Sequence, residues 1–254
     1  MVEVFVLKIR IKFRKLGVMK FIGHLDMMRY FQKAIRRCDI DICYSKGYSP
    51  HQIMSFAAPL GVGVTSDGEY LDIEAHSSMP SEKAIAALNA VMAEGVEIVG
   101  YVQLPESAKP AMATVAASDY EIWLKEDSKI PAEFFLDKEA LSQRLYDFFE
   151  APKEIWISKK TKKGEKQIDL KQLVYDFRIL LPEERFFGKP AFYLDVSAGS
   201  VANVKPELIM EAFFQSMDIP YPSFDYQIHR KDVYSIQPDG SRQSLLEEGT
   251  VITV

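Results

Sequence analysis

The first hundred residues switch repeatedly between two hydrophobic periods, and this switching is the strongest constraint on the fold. Residues 4 to 14 alternate apolar and polar side chains, which predicts a strand with one basic face. Residues 20 to 38 repeat apolar side chains at three- and four-residue steps, which predicts an amphipathic helix. Shorter strand patterns follow at 40–44, 52–57, 69–75 and 96–104, with a second helical pattern at 80–92. The order strand, helix, two strands, helix, strand is typical of the split-βαβ, ferredoxin-like arrangement.

The remaining residues repeat this order loosely. The two stretches are joined by residues 105–113, PESAKPAMA, whose prolines and small side chains are typical of a linker. We therefore predict an α+β protein built from two ferredoxin-like halves in tandem, the second one decorated. The predicted limits are a basic N-terminal domain at 1–104, a linker at 105–116 and a C-terminal domain with a lysine-rich hairpin at 117–254.

Charge is distributed very unevenly along the chain. Residues 1–60 hold 11 Lys and Arg against 4 Asp and Glu, a formal +7, whereas the other 194 residues hold 20 against 32, a formal −12. A basic lobe on a protein of net charge −5 favours a polyanionic partner or substrate.

Several classes of protein are disfavoured by composition. No run of 18 apolar residues is present, so we expect no membrane span and a cytoplasmic chain. Cys38 and Cys43 are the only cysteines, too few to hold an iron–sulfur cluster by thiolates, and we expect them to be reduced. The four histidines lack metal-ligand spacing, so we expect neither a metal site nor a cofactor of the chain's own.

The predicted first helix carries two candidate features. His24 stands near its start, where a histidine can exchange a proton or contact a phosphate, although spacing alone favours a capping or surface histidine. A basic stripe follows at i, i+4, i+7 and i+8, formed by Arg29, Lys33, Arg36 and Arg37. The stripe can track a phosphate backbone or be an ordinary solvated helix face. Whether the basic side chains of the first strand share this face is left open.

A Gly- and Ser-rich segment follows, Tyr44-Ser45-Lys46-Gly47-Tyr48-Ser49-Pro50-His51. Its glycine, hydroxyl groups and N–H groups are suited to holding an anion, and its tyrosines to stacking on bases. The alternative is a long hairpin turn, since the same residue types are common in turns. The candidate substrate- or phosphate-binding residues are Arg29, Lys33, Arg36, Arg37, Ser45, Lys46, Gly47, Tyr48 and His51, and the candidates for catalysis are His24, His51 and Lys46.

A second basic segment, SKKTKKGEKQIDLK, spans residues 158–171. It predicts a hairpin whose tip is either a basic finger or simply a soluble, aggregation-resistant turn. The candidate second basic site consists of Lys160, Lys162, Lys163 and Asp169, with Asp169 placed to fix one of the lysines.

These motifs together resemble a radical-SAM-linked domain family of unknown function. The resemblance rests on Phe21-Ile22-Gly23-His24-Leu25-Asp26, the basic helix, Tyr44 to His51, Ser55-Phe56 and Pro59-Leu60, and on the lysine-rich segment. Gly23 stands where the family usually has serine, and Tyr48 where it usually has phenylalanine. The resemblance implies a radical SAM partner carrying an iron–sulfur cluster and S-adenosylmethionine, and an RNA or ribosome context. It supplies no catalytic residues.

Three functions are therefore weighed. The first is an accessory protein that binds RNA or another phosphate-rich substrate for a radical SAM enzyme. The second is a metal-independent RNA-processing endoribonuclease using His24, which rests on fold analogy. The third is a scaffold that contacts only protein.

Overall fold

The computed structural model describes residues 6–128, 130, 137–161, 164–200 and 202–253. It confirms the predicted α+β class, with mostly antiparallel strands and few helices. The strands are β1 Leu7–Lys15, β2 Met54–Phe56, β3 Thr65–Ala75, β4 Val96–Gln103, β5 Ala117–Leu124, β6 Trp156–Thr161, β7 Gly164–Asp169, β8 Val174–Leu180, β9 Ala191–Ser197, β10 Tyr226–Ile236 and β11 Arg242–Ser244. The α-helices are α1 His24–Arg37, α2 Ser81–Asn89, the single turn α3 Ala111–Thr114, α4 Lys138–Leu145 and α5 Pro206–Gln215.

Contacts divide the chain into two compact units. The first comprises Met1–Ala116 with Arg230–Val254, and the second comprises Ala117–His229. This division differs from the predicted limits, because the segment 105–116 and the last 25 residues both group with the first unit. The division falls inside β10, so that one strand contributes residues to both units.

The first unit contains an antiparallel sheet in the order β4-β1-β3, with β2 also paired to β3. Alternation along β1 turns Ile9, Ile11 and Phe13 towards one face. There they join a core cluster with buried side chains of both helices, namely Met27, Phe31 and Ile35 of α1 and Ala84 and Leu88 of α2. The helices therefore cover one face of this sheet, and the polar side chains of β1 lie on the other.

The predicted helix at 20–38 is divided in the structure. Gly17–Phe21 forms a 3-10 turn, and α1 begins only at His24. Gly23 between them has extended backbone angles, φ −73° and ψ 166°, and its carbonyl accepts the first helical hydrogen bond from Met27. The strands predicted at 40–44 and 52–57 are also shorter than expected. Only β2 and isolated bridges at Ile42 and Tyr44–Gln52 are formed.

The second unit contains the antiparallel order β5-β9-β8 and a separate hairpin of β6 with β7. The N–H of Lys125, after β5, donates to the carbonyl of Asp225, just before β10. A cluster of phenylalanines fills the core of this unit, with Phe177 and Phe192 of the strands packed against Phe213 of α5 and Phe148. Among the described residues of the whole chain, no helix is long and apolar enough to cross a membrane.

Candidate functional site

The basic stripe of α1 lies on the surface. The opposite face of the helix is buried through Met27, Phe31, Ala34 and Ile35, so the apolar period fixes which side faces outward. All four cations are exposed: Arg29, Lys33, Arg36 and Arg37. Arg29 lies 3.2 Å from Asp26 in a pair exposed on both sides, which is expected to contribute little to stability. For Lys33, Arg36 and Arg37 the described part of the chain contains no ion pair.

The cations of β1 are arranged quite differently. Arg10 is fully buried and contacts Asp72 through Nε at 2.7 Å and Glu248 through Nη1 at 2.6 Å. Burial opposes its charge, but the hydrogen bonds and charges of these two carboxylates outweigh burial and raise the pKa of the guanidinium. Nearby, Lys12 is paired with Asp232 at 2.6 Å, and Lys8 donates to the carbonyls of Glu106 and Ala108. These three cations therefore belong to the internal structure of the first unit and do not extend the stripe.

His24 is exposed at the start of α1, and its ring meets Phe56 of β2 edge-on, with centroids 5.3 Å apart. The start of the helix is held from below by Lys15, whose ammonium donates to the carbonyl of Ile22 at 2.7 Å. Burial lowers the pKa of this lysine, and Arg230 lowers it further against the opposing effect of Glu69. His24 thus stands on a fixed element with an accessible ring.

The segment predicted as a ligand loop is a narrow hairpin. The N–H of Ser45 donates to the carbonyl of His51 at 2.8 Å, and the N–H of Ile53 donates to the carbonyl of Cys43 at 2.9 Å. Gly47 at its tip has φ +117°, a conformation that glycine adopts readily and other residues do not. Tyr48, Lys46 and His51 are exposed there.

Two predicted residues are brought into direct contact. Ser45 Oγ accepts from the His51 N–H at 3.1 Å and lies 2.8 Å from His51 Nδ1. The same Nδ1 lies 3.5 Å from the carbonyl oxygen of Ser49. The ring of His51 is therefore oriented by contacts within the hairpin, and the residue is exposed.

The structure does not join all the candidates. The described contacts of His24 involve Phe56, and none reaches Ser45, Lys46 or His51. No contact among the described residues therefore supports an acid–base pair between His24 and the hairpin residues.

Gln52 escaped the prediction altogether, and Tyr44 was considered for base stacking but not included among the candidate binding residues. Tyr44 and Gln52 form a bridge across the hairpin, Tyr44 half exposed and Gln52 buried. Among the described residues, neither amide atom of Gln52 has a hydrogen-bond partner. The pairing is symmetric about Tyr48, so counting outward from Gly47 does not find it, and nothing in the sequence indicates the burial of Gln52.

The second basic segment forms the β6–β7 hairpin. Lys160 belongs to β6 opposite Glu165, while Lys162 and Lys163 lie outside the described residues. Asp169 is buried and accepts from the backbone N–H groups of Ile155 and Lys171. Its described contacts thus hold the base of the hairpin, and none of them is to a lysine ammonium group.

Neither cysteine is in a disulfide, and burial raises the pKa of both thiols. The Sγ of buried Cys43 lies 3.5 Å from Nδ1 of His76. Within the described part of the chain, no cluster of three or more His, Cys, Asp or Glu side chains is arranged to hold a metal ion.

Comparison with known families places the chain. Residues 8–206 match the family described as uncharacterized protein conserved in bacteria (DUF2344). The chain belongs to this family. The match includes α1, the hairpin and the β6–β7 segment, so the family covers every candidate site residue discussed above. No match to the chain was found among the curated proteins.

Proposed function

We propose that this protein binds RNA, or another phosphate-rich polymer, through the exposed face of α1 and the hairpin at 44–51 that follows it in sequence. The observation that carries the proposal is the contrast between two sets of cations in the first unit. Lys8, Arg10 and Lys12 of β1 are held by carboxylates and carbonyls of the unit, whereas Lys33, Arg36 and Arg37 are exposed without an ion pair in the described structure. Cations in the last turn of a helix also interact favourably with the helix dipole. That effect accounts for Arg36 and Arg37 but not for Lys33, which lies further from the end.

The hairpin supplies complementary groups for such a ligand. Lys46 adds a further exposed cation, and the exposed ring of His51, oriented by Ser45, adds a group that can hydrogen-bond to a ligand. Tyr48 is fully exposed, and a tyrosine ring in this position is suited to stacking on a base.

We further propose that the protein acts as an accessory to a radical SAM enzyme. This part rests on the resemblance of the motifs at 21–26 and 44–51 to the radical-SAM-linked family. The partner would carry the iron–sulfur cluster and S-adenosylmethionine, and this chain would present the polymer. If the tagged chain, purified from its native cells at low salt, brings down no radical SAM protein, this part is contradicted.

We also infer that each unit is a ferredoxin-like, split-βαβ fold. In the first unit, α1 lies between β1 and β2 in sequence, α2 lies between β3 and β4, and the antiparallel order is β4-β1-β3-β2. In the second, α4 and α5 fall at the corresponding places around β5, β8, β9 and the start of β10. The β6–β7 hairpin would then be the decoration.

The binding proposal is tested by titrating labelled RNA at several salt concentrations. Neutralising the stripe as Lys33→Gln, Arg36→Gln and Arg37→Gln is expected to weaken binding at low salt. Each phosphate contact that is lost no longer releases counterions from the RNA, and that release favours binding. The slope of log K against log salt should flatten by about 2, at about 0.7 per contact for a single strand. The matched control removes three other exposed charges, as Lys83→Gln, Lys138→Gln and Lys153→Gln. Equal weakening by both triple variants, or salt-insensitive binding, would overturn the proposal.

A further inference from the structure

Tyr44 and Gln52 lie side by side on one face of the hairpin. The hydrogen bonds that flank them, Ser45 N–H to His51 and Ile53 N–H to Cys43, make them a non-hydrogen-bonded antiparallel pair. In such pairs the Cα atoms are closest and the side chains point to the same face. Ser45 and His51, one step along, point to the opposite face.

The amide of Gln52 is an unusual feature of this face. Gln52 is only 5% exposed, and within the described part of the chain neither Nε2 nor Oε1 has a hydrogen-bond partner. Buried polar groups without partners destabilise the folded state and are uncommon in proteins, so each needs an explanation. A binding surface provides one, because the missing partners can be supplied by a ligand.

We propose that this face takes an unpaired nucleobase, so that the polymer bound by the protein is single-stranded. This inference rests on the proposed function and names its substrate class. The base would stack on the ring of Tyr44 and present its edge to the Gln52 amide, which offers two donors and one acceptor. We assign this contact to the N7 edge of the base, where adenine alone offers an adjacent donor, N6–H, and acceptor, N7, so adenine is the preferred base.

Duplex RNA cannot satisfy this arrangement. Its bases are stacked on one another and their pairing edges are occupied, and its deep, narrow major groove excludes side chains. Binding also requires the covered amide to be uncovered. Changes of side-chain rotamer on binding are common, and Tyr44, the cross-strand neighbour of Gln52, is 49% exposed.

The test compares short labelled oligoadenylate, oligouridylate and an RNA duplex by fluorescence anisotropy. The wild type should prefer the single strands to the duplex and adenine to uracil. Tyr44→Leu should weaken single-strand binding roughly fivefold to a hundredfold, the range for loss of one stacked base, and leave duplex binding unchanged. Tyr146→Leu, at an equally exposed tyrosine in the second unit, should have no effect.

Gln52→Met gives an independent arm, because it keeps the length of the side chain and removes only the amide. It should abolish the preference for adenine while the protein unfolds at the same temperature or a higher one. Should Tyr44→Leu fail to fold, this variant decides the question.

Equal affinity for single strand and duplex, or an adenine preference that survives Gln52→Met, would overturn the inference while salt-dependent binding by α1 still stood. Absence of any salt-dependent RNA binding would instead overturn the proposed function itself.

Discussion

Arg10 is a charged side chain that the first unit buries completely. Its replacement tests how much a buried charge network contributes to stability compared with an exposed ion pair. Arg10→Met would leave Asp72 and Glu248 without their shared cation, and breaking a buried pair typically costs about 3–5 kcal/mol. We expect the free energy of unfolding, measured with urea, to fall by about this amount.

The control for this substitution lies on the same strand. Arg14 pairs with Asp67 and Glu97 at the surface, where ion pairs contribute at most about 1 kcal/mol, so Arg14→Met should be nearly neutral. Similar losses in the free energy of unfolding for the two variants would show that the buried network of Arg10 contributes no more to stability than a surface ion pair does.

At the scale of the element, the beginning of α1 can be strengthened. Gly23 caps the helix without any side-chain hydrogen bond, and the space around its Cβ position is open. Gly23→Ser, which restores the residue usual in the resembling family, would offer a hydroxyl to the free N–H groups of the first turn. Serine exceeds glycine at this position by a few tenths of a kcal/mol, so we expect a rise of about 1 °C in melting temperature.

A second substitution at the same position is the control for the capping hydrogen bond. Gly23→Ala adds a side chain without an acceptor, and it should not stabilise the protein. If alanine and serine raise the melting temperature equally, the gain comes from reduced freedom of the unfolded chain and not from capping.

The body of α1 was predictable, whereas its start was not. The apolar period of residues 20–38 correctly put Phe31 and Ile35 on the buried face and the four cations on the exposed face, but Phe21 and Leu25, which follow the same period, are exposed. The break at Gly23 depends on a backbone conformation that glycine permits but does not require. In the hairpin, Gly47 and Pro50 indicated the turn, while the burial of Gln52 depends on packing that no local pattern encodes.

For a related reason, the sequence could not decide whether the basic side chains of β1 share the face of the α1 stripe. Alternation placed its cations opposite the core, but their partners are supplied by residues far away in the chain. Arg10 reaches Leu245 and Glu248, and Lys12 reaches Asp232, more than 200 positions on. Strand patterns cannot indicate such closures, because a covered polar face and a solvated one have the same sequence period.

On the scale of the whole molecule, the C-terminal segment completes the first unit. Thr250 exchanges two backbone hydrogen bonds with Gln103 at the end of β4. The N–H of Ser81 donates to the carbonyl of Ile252, and the N–H of Ile252 donates to Ser81 Oγ. Ending the chain after Ser241 would remove these bonds together with two partners of Arg10. We expect hydrogen exchange to lose protection in peptides from 6–116, while peptides from 137–229 keep it, since the second unit has its own core.

Removal of residues 253–254 alone serves as the control and should leave exchange unchanged. Loss of protection spread evenly over both units would contradict the division described above, because it would mean that they unfold as one.

The return of residues 230–254 to the first unit has a consequence for how the protein is made. A chain emerging from the ribosome ordinarily folds its N-terminal domain first. Here the first unit needs residues 230–254, whereas the second unit, 117–229, is synthesised before them. The inner segment can therefore reach its folded state earlier than the outer one, and β1, with its buried arginine, waits in the nascent chain until residues 230–254 have been synthesised.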